Sequence, residues 1–150
     1  MRFATLLAGI TLAAALPAAA AEPVAGPAAA AAVQASGVFA VTAVVSVNAS
    51  IPDGTTLTGA ATANVGDPKF SNYSSVSLTG VVKNRKVTLT GKVPYLWALS
   101  SRGANVTVSV SAYSYRFASG DTLSYSTYVY KSIALPKNGA TTKVALFGAM

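Results

Sequence analysis

The chain has 150 residues, 52% of them apolar and 10% charged, and its 11 Lys and Arg against 4 Asp and Glu give a formal net charge of +7. This length suits one domain with a short extension and argues against a second full domain. The sequence contains no cysteine and no histidine, which excludes disulfides, thiol and imidazole chemistry and most transition-metal sites. We therefore expect a protein that is not an enzyme and that uses no metal or cofactor.

Residues 1–21 have the organisation of a secretory signal peptide. Arg2 gives a positive start, residues 3–16 form an apolar stretch, and Pro17 precedes a run of small residues that a signal peptidase accepts. Cleavage would begin the mature chain at Ala21 or Glu22. The alternative is a retained anchor, which would need about 20 unbroken apolar residues and firmer charged flanks.

Export is the expectation that follows, with a periplasmic or extracellular location and no transmembrane span after cleavage. Exported proteins often carry disulfides, so a cysteine-free chain fits a bacterial envelope better than a small eukaryotic secreted scaffold. The mature chain would keep ten Lys and Arg against four acids, a net charge of about +6.

Residues 22–36 predict a flexible arm. They include Pro23, Pro27 and a run of alanines at 28–32, with almost no large side chain, so they cannot bury a core. The arm would be either a disordered leader or a tether for a partner.

Residues 37–150 predict a single all-β domain, an antiparallel β-sandwich of immunoglobulin-like or similar Greek-key type with about seven strands. Valine, threonine, serine and tyrosine dominate, and turn residues recur roughly every ten positions. The first two strands alternate in character, so each should bury one face. The buried faces would consist of Phe39, Val41, Ala43, Val45, Val47 and Ala49, and of Leu57, Gly59, Ala61, Ala63 and Val65.

The next two strands predict an amphipathic hairpin closed by a loop at residues 83–86. With Val82 opposite Val87, glycines face leucines and one face is apolar. A short unit recurs at 56–59, 77–80 and 88–91, reading Thr-Leu-Thr-Gly or Ser-Leu-Thr-Gly. We interpret it as leucine filling the space beside a facing glycine rather than as a solenoid repeat.

Strands at 105–117 and 122–135 form the following pair, and a last strand covers 141–147. An odd-length loop with Gly120 in the left-handed position would place the aromatics of both strands on one face. That face would contain Tyr113, Tyr115, Phe117, Leu123 and Tyr125. Since the apolar residues of both strands change phase at the same level, a bend is expected there. It would come either from bulges near Ala112 and Thr127 or from a hairpin that leaves one sheet and packs on the other.

Three of the acidic residues stand beside glycine in turns, where an aspartate caps its own backbone. They are Asp53, Asp67 and Asp121. Successive turns alternate between the two ends of a sandwich, which separates Asp53 from Asp67. The pattern therefore argues against an acid–base pair or a metal site.

Four cations would gather around the 83–86 hairpin tip as a patch for anionic ligands: Lys83, Arg85, Lys86 and Lys92. Such a patch could meet an envelope polyanion such as lipid phosphate or acidic polysaccharide. The sequence favours a simpler role, in which cations at strand ends keep the domain soluble and prevent edge-to-edge association. Nucleic acid is not an expected partner, because the chain is exported and carries no basic motif.

Aromatic residues supply the second candidate, a contact surface for a glycan or a protein partner. Its members would be Tyr95, Trp97, Arg116, Tyr128 and Tyr130. Tyrosines on long antiparallel strands more often serve as core margin or cross-strand packing, and we favour that role.

The function expected from the sequence is an exported, non-catalytic β-sandwich that acts by binding or assembly at the cell envelope or outside the cell. One alternative is a fibre or pilus-like subunit that works by strand complementation and self-assembly, suggested by the first strand beyond the arm and by the apolar end at 144–150. A secreted serine and lysine hydrolase ranks last, since no nucleophile elbow marks one.

Overall fold

The computed structural model describes residues 31–118 and 121–150, with the backbone alone at 115–118 and 121–123. It is an all-β structure of seven strands in two packed sheets, which confirms the predicted β-sandwich. The strands are β1 (Val33–Ser46), β2 (Thr56–Gly66), β3 (Ser71–Val81), β4 (Lys86–Leu99), β5 (Asn105–Ala118), β6 (Asp121–Ala134) and β7 (Ala140–Ala149).

One sheet has the strand order β4-β1-β7 and the other β3-β2-β5-β6. The chain changes sheet after β1, β3, β4 and β6. All neighbouring strands are antiparallel except β1 and β7, which are parallel. The exception arises because β6 ends where β1 begins, so β7 starts at that end: the Gly139 amide donates to the Ser36 carbonyl at 2.8 Å.

β1 begins at Val33, so residues 33–36 of the predicted arm lie in the sheet, opposite residues 96–99 of β4. Their alternating burial, with Ala35 fully buried, explains why they join the strand. Residues 1–30 lie outside the described residues, so the signal peptide and the rest of the arm stay predictions.

The alternating faces of β1 and β2 form the core as predicted. Phe39 and Leu57 are fully buried, and Phe39 stacks on Tyr95 with ring centroids 4.7 Å apart. The exception is Ala49, which lies beyond the end of β1 and is exposed. From the last strand, Val144 and Leu146 complete the core.

The prediction that the third and fourth strands pair as a β-hairpin is wrong. β3 and β4 belong to different sheets, and the turn between them contains one isolated bridge, between Lys83 and Lys86. The leucine and glycine complementarity survives as packing between the sheets: a Cβ built on Gly91 would lie 2.5 Å from Leu78 Cδ2. The tight turn therefore carries the chain from one layer to the other, and close packing between layers selects the same residues as a ladder would.

In the recurring four-residue unit, leucine also lies opposite glycine between neighbouring strands of one sheet. In the ladder between β2 and β3, Leu57 lies opposite Gly80 and Gly59 lies opposite Leu78. This confirms the interpretation of leucine beside a facing glycine for the first two copies.

The odd loop and the bulges predicted for β5 and β6 are wrong. The register runs unbroken from Asn105 opposite Ala134 to Ala118 opposite Asp121, so an even number of residues separates the two strands. The predicted left-handed Gly120 lies outside the described residues. Tyr113 lies opposite Ser126 and is 43% exposed. Tyr125 packs against the core instead. The change of phase therefore reflects outward-facing tyrosines, and β5 and β6 stay paired in one sheet without a bulge. Among the other members of the predicted aromatic face, the side chains of residues 115, 117 and 123 lie outside the described residues.

Candidate binding faces of the sandwich

The sandwich presents two broad outer faces, which differ in chemistry. We call the outward side of the β4-β1-β7 sheet the lysine face and that of the β3-β2-β5-β6 sheet the tyrosine face. Strand alternation assigns residues to each: even positions of β1 and β4 and odd positions of β7 form the lysine face, and odd positions of β3 and β5 and even positions of β2 and β6 form the tyrosine face.

The structure brings together only part of the predicted cation patch. Lys83, Arg85 and Lys86 form the 83–86 turn, which we call the basic tip. Lys92 lies six residues further along β4, about 20 Å away at the rise of a strand. Its neighbours across the sheet are Ala40 of β1 and, beyond it, Lys143 of β7.

The basic tip is held by a carboxylate from another loop. Asp53 accepts hydrogen bonds from the amides of Asn84 at 2.8 Å and Arg85 at 3.3 Å. The prediction that Asp53 caps its own turn is therefore wrong, because the amides that it binds belong to the 83–86 turn. Both turn residues have positive φ, 51° at Asn84 and 59° at Arg85, a conformation that arginine adopts with strain. The tip is thus a strained turn whose backbone is hydrogen-bonded to a neighbouring loop.

Asp67 caps its own turn as predicted and also joins the two sheets. It accepts hydrogen bonds from the amides of Lys69 and Phe70, and from both the amide and the hydroxyl of Ser100, which follows β4. Desolvation raises its pKa, but these hydrogen bonds outweigh it and leave the pKa below its usual value. An open cavity of about 620 Å³ adjoins this loop, lined by residues 64–73. Since its carboxylate is already engaged, Asp67 acts structurally. The side chain of Asp121 lies outside the described residues.

The predicted aromatic surface does not exist as one surface, because two of its members are buried. Trp97 is 3% exposed and lies 4.5 Å from Tyr95 between ring centroids. Odd positions of β4 face the core, which places both rings inside. The Tyr95 hydroxyl is buried without a hydrogen-bond partner, and desolvation raises its pKa despite the opposing charge of Arg102.

The other aromatic members lie on the opposite side of the molecule. Tyr128 and Tyr130 are 61% and 67% exposed, and their ring centroids are 5.9 Å apart. They stand side by side on β6 at the border of the tyrosine face. Arg116 belongs to β5, and its side chain lies outside the described residues.

Small hydroxyl side chains form the floor of the tyrosine face next to these two rings. The Thr62 and Ser109 hydroxyls lie 2.7 Å apart, in a hydrogen bond between β2 and β5. Two further exposed tyrosines, Tyr73 and Tyr113, belong to this face. None of the described side chains on it is charged. The floor consists of the hydroxyl residues Thr58, Thr62, Ser75, Ser77, Thr79, Thr107, Ser109 and Ser111, together with Ala60 and Asn64. Ser109 is the buried member, with 3% of its surface exposed.

Sequence reasoning did not include Tyr73, Tyr113 and Lys143 among the candidate site residues. A signal for the two tyrosines was present, because both alternate with inward-facing positions of their strands. Alternation along the last strand also turns Lys143 outward, but no local signal placed it near Lys92, because that position depends on β7 lying parallel to β1.

The described residues contain no group of three or more His, Cys, Asp or Glu side chains that could hold a metal ion. Within the same residues, no helix is long and apolar enough to cross a membrane. The apolar end at 144–150, which suggested a fibre subunit, lies largely in β7 and pairs with β1 of its own chain.

The fold and its faces thus define a seven-stranded β-sandwich with one cationic outer surface and one whose described side chains carry no charge. Comparison with protein-family models, with curated proteins and with solved structures found no match. The function must therefore be argued from the two faces themselves.

Proposed function

We propose that this protein is an exported, non-catalytic binding module, active at the cell envelope or outside the cell, and that it binds neutral polysaccharide through the tyrosine face. The observation that carries the proposal is the pair of exposed rings, Tyr128 and Tyr130, beside an uncharged floor of hydroxyl side chains. Glycan binding needs an aromatic ring for stacking and hydroxyl groups for hydrogen bonding, placed side by side.

The chemistry of the face matches a sugar polymer. The C–H side of a pyranose ring packs on an aromatic ring, and tyrosine adds a hydroxyl at the rim of that contact. Serine and threonine hydroxyls both donate and accept hydrogen bonds, as sugar hydroxyls require. A flat, open sheet suits an extended chain, whereas small molecules prefer enclosed pockets.

Because the described part of the face carries no charge, the expected partner is a neutral glycan and not a polyanion. A glycan without ionised groups loses little on meeting uncharged hydroxyls, whereas a carboxylate or sulfate would find no cation there. Binding to this face should therefore change little with ionic strength.

The test is depletion of the mature chain from solution by insoluble cellulose, amylose resin and chitin, at low and high salt. We expect binding to at least one, and a loss of about tenfold or more in the double variant Tyr128→Ala/Tyr130→Ala. The matched control is Leu96→Ala/Phe147→Ala, which also removes two exposed large side chains, but from the other face. No binding to any of the three, or equal losses in both double variants, would overturn the proposal.

Export is tested separately, by fractionating cells that express the full chain. We expect the protein in the periplasm or the medium, with an N-terminus at residue 21 or 22. A cytoplasmic, uncleaved product would contradict export and leave the glycan test standing on its own.

A further inference from the structure

Two lysines face each other across a strip of small residues on the lysine face. Ala40 of β1 lies opposite Lys92 of β4 on one side and opposite Lys143 of β7 on the other. Neighbouring strands are about 4.8 Å apart, so the two lysine Cα atoms lie about 10 Å apart. Both lysines are exposed, and their charges point to the same side of the sheet.

Shallow cavities lie between these lysines and β1. One of about 250 Å³ is lined by Thr42, Thr90 and Lys92, among others. Another of about 420 Å³ is lined by Ala40, Thr42 and Lys143 with their neighbours on β7. Because the residues between the lysines are small, an anionic group can reach either ammonium group and the threonine hydroxyls together.

No acidic residue competes for these cations on the described part of the face. Asp53 accepts hydrogen bonds at the basic tip, and Asp67 does so in the loops at the opposite end of β2. Lys86 adds a third positive charge to the same face. The face is therefore a cationic surface whose charge is free to meet an external anion.

Large apolar side chains protrude from the same face on either side of the lysine pair. Leu96 and Phe147 are each 75% exposed. Leu96 lies opposite Ser36 and Phe147 opposite Val44, four residues to either side of Ala40 along β1. Each is thus about 13 Å from the lysine row along the strands. A soluble polyanion gains little from these side chains.

A bilayer with anionic headgroups satisfies both features at once. Basic side chains near such a surface are attracted to lipid phosphates, and exposed aromatic and aliphatic side chains bury themselves at the boundary of the acyl chains. We propose that the lysine face docks on an anionic lipid bilayer, with Lys92 and Lys143 meeting lipid phosphates while Leu96 and Phe147 enter the interface. The tyrosine face would then point away from the bilayer. This inference does not rest on the glycan proposal, which concerns the other face.

The experiment is sedimentation of the mature chain with vesicles of phosphatidylcholine, with and without phosphatidylglycerol. We expect binding only with phosphatidylglycerol, weakened by salt. The double variant Lys92→Gln/Lys143→Gln should lose roughly thirty-fold in partitioning. The control Lys69→Gln/Lys131→Gln lowers the net charge equally at exposed positions in the loop before β3 and on β6, which are not among the outward residues of the β4-β1-β7 sheet, and it should bind nearly as well as the parent. Equal losses of vesicle binding in the two variants would overturn the proposal that the lysine face is the docking surface, because net charge alone would then explain binding.

The apolar contribution separates a bilayer from a soluble polyanion. Leu96→Ser/Phe147→Ser should lose about tenfold in vesicle binding, and the fluorescence of a Phe147→Trp variant should shift to the blue on adding phosphatidylglycerol vesicles. Binding to dextran sulfate provides the competing arm. If the parent binds dextran sulfate at least as well as vesicles and the serine variant binds vesicles normally, the partner is a soluble polyanion and the bilayer proposal fails.

Discussion

The lysine face and the tyrosine face lie on the outer sides of two sheets that share one core, yet the two faces share almost no chemistry. The lysine face carries Lys86, Lys92 and Lys143 together with two protruding apolar side chains. The described part of the tyrosine face carries no charge and many hydroxyls. Since the inward residues of both sheets determine the fold, the outward residues were free to diverge, and it is there that different partners can be recognised.

The largest expected effect concerns the aromatic side chains. Those of β4 are buried in the core beneath the lysine face, whereas Tyr128 and Tyr130 of β6 are exposed on the tyrosine face. Trp97→Ala should lower the free energy of unfolding by about 3–5 kcal/mol, because it empties part of a packed core. Tyr130→Ala on the tyrosine face should change it by about 0.5 kcal/mol or less. Urea denaturation of both variants measures the difference.

Similar losses for Trp97→Ala and Tyr130→Ala would break the distinction between core and surface on which the assignment of the faces depends. A Tyr130→Phe variant with normal stability provides the reference for an exposed ring.

The second effect concerns the close approach of β2 and β5, which builds the floor of the tyrosine face. A Cβ on Gly59 would collide with the backbone of β5 at Ser111 and lie 2.9 Å from Ala112 Cα. Gly59→Ala should therefore cost about 1–3 kcal/mol of unfolding free energy. Gly66→Ala at the end of the same strand, where nothing lies within 4 Å, is the control. Thermal and urea unfolding compare them, and equal stability of the two variants would contradict this close packing.

A smaller effect is expected at the basic tip, which leads into β4 and the lysine face. Arg85→Gly should raise the free energy of unfolding by about 0.5–1 kcal/mol, because glycine relieves the positive φ at that position. The same change removes a cation from the tip but leaves the lysine pair intact, so vesicle binding should fall by less than in Lys92→Gln/Lys143→Gln. A destabilised Arg85→Gly variant would mean that the arginine side chain itself holds the turn.

The last effect is confined to acid pH and concerns the corner where Asp67 joins the two sheets. Its folded-state pKa lies below the unfolded value of about 3.9, so its contribution is present above that pH and is lost as the pH falls through the folded pKa. Asp67→Asn should be less stable than the parent at neutral pH, and the gap should close below about pH 4. Urea denaturation across this range checks it, and a gap of constant size would contradict the assigned role.

Much of the fold was predictable because alternation along a strand is a local property. The inward faces of β1 and β2 follow from a period of two, and Asp67 beside glycine correctly marks a turn. The aromatic surface failed for a different reason. Trp97 and Tyr130 look alike in sequence, and only the side of the sheet on which each stands decides whether it is core or surface.

The sequence by itself determined the all-β class, the number of strands, most of their inward faces and the match of leucine with glycine. Tertiary structure alone decided which strands share a sheet. Leu78 and Gly91 suit a ladder as well as contact between layers, because both need a large side chain beside an empty position. It also decided that Lys92 lies across from Lys143 and not at the basic tip, because the parallel pairing of β7 with β1 joins residues distant in the chain. Contacts between residues so distant in the chain depend on how the strands assemble into the two sheets, which no local sequence pattern encodes.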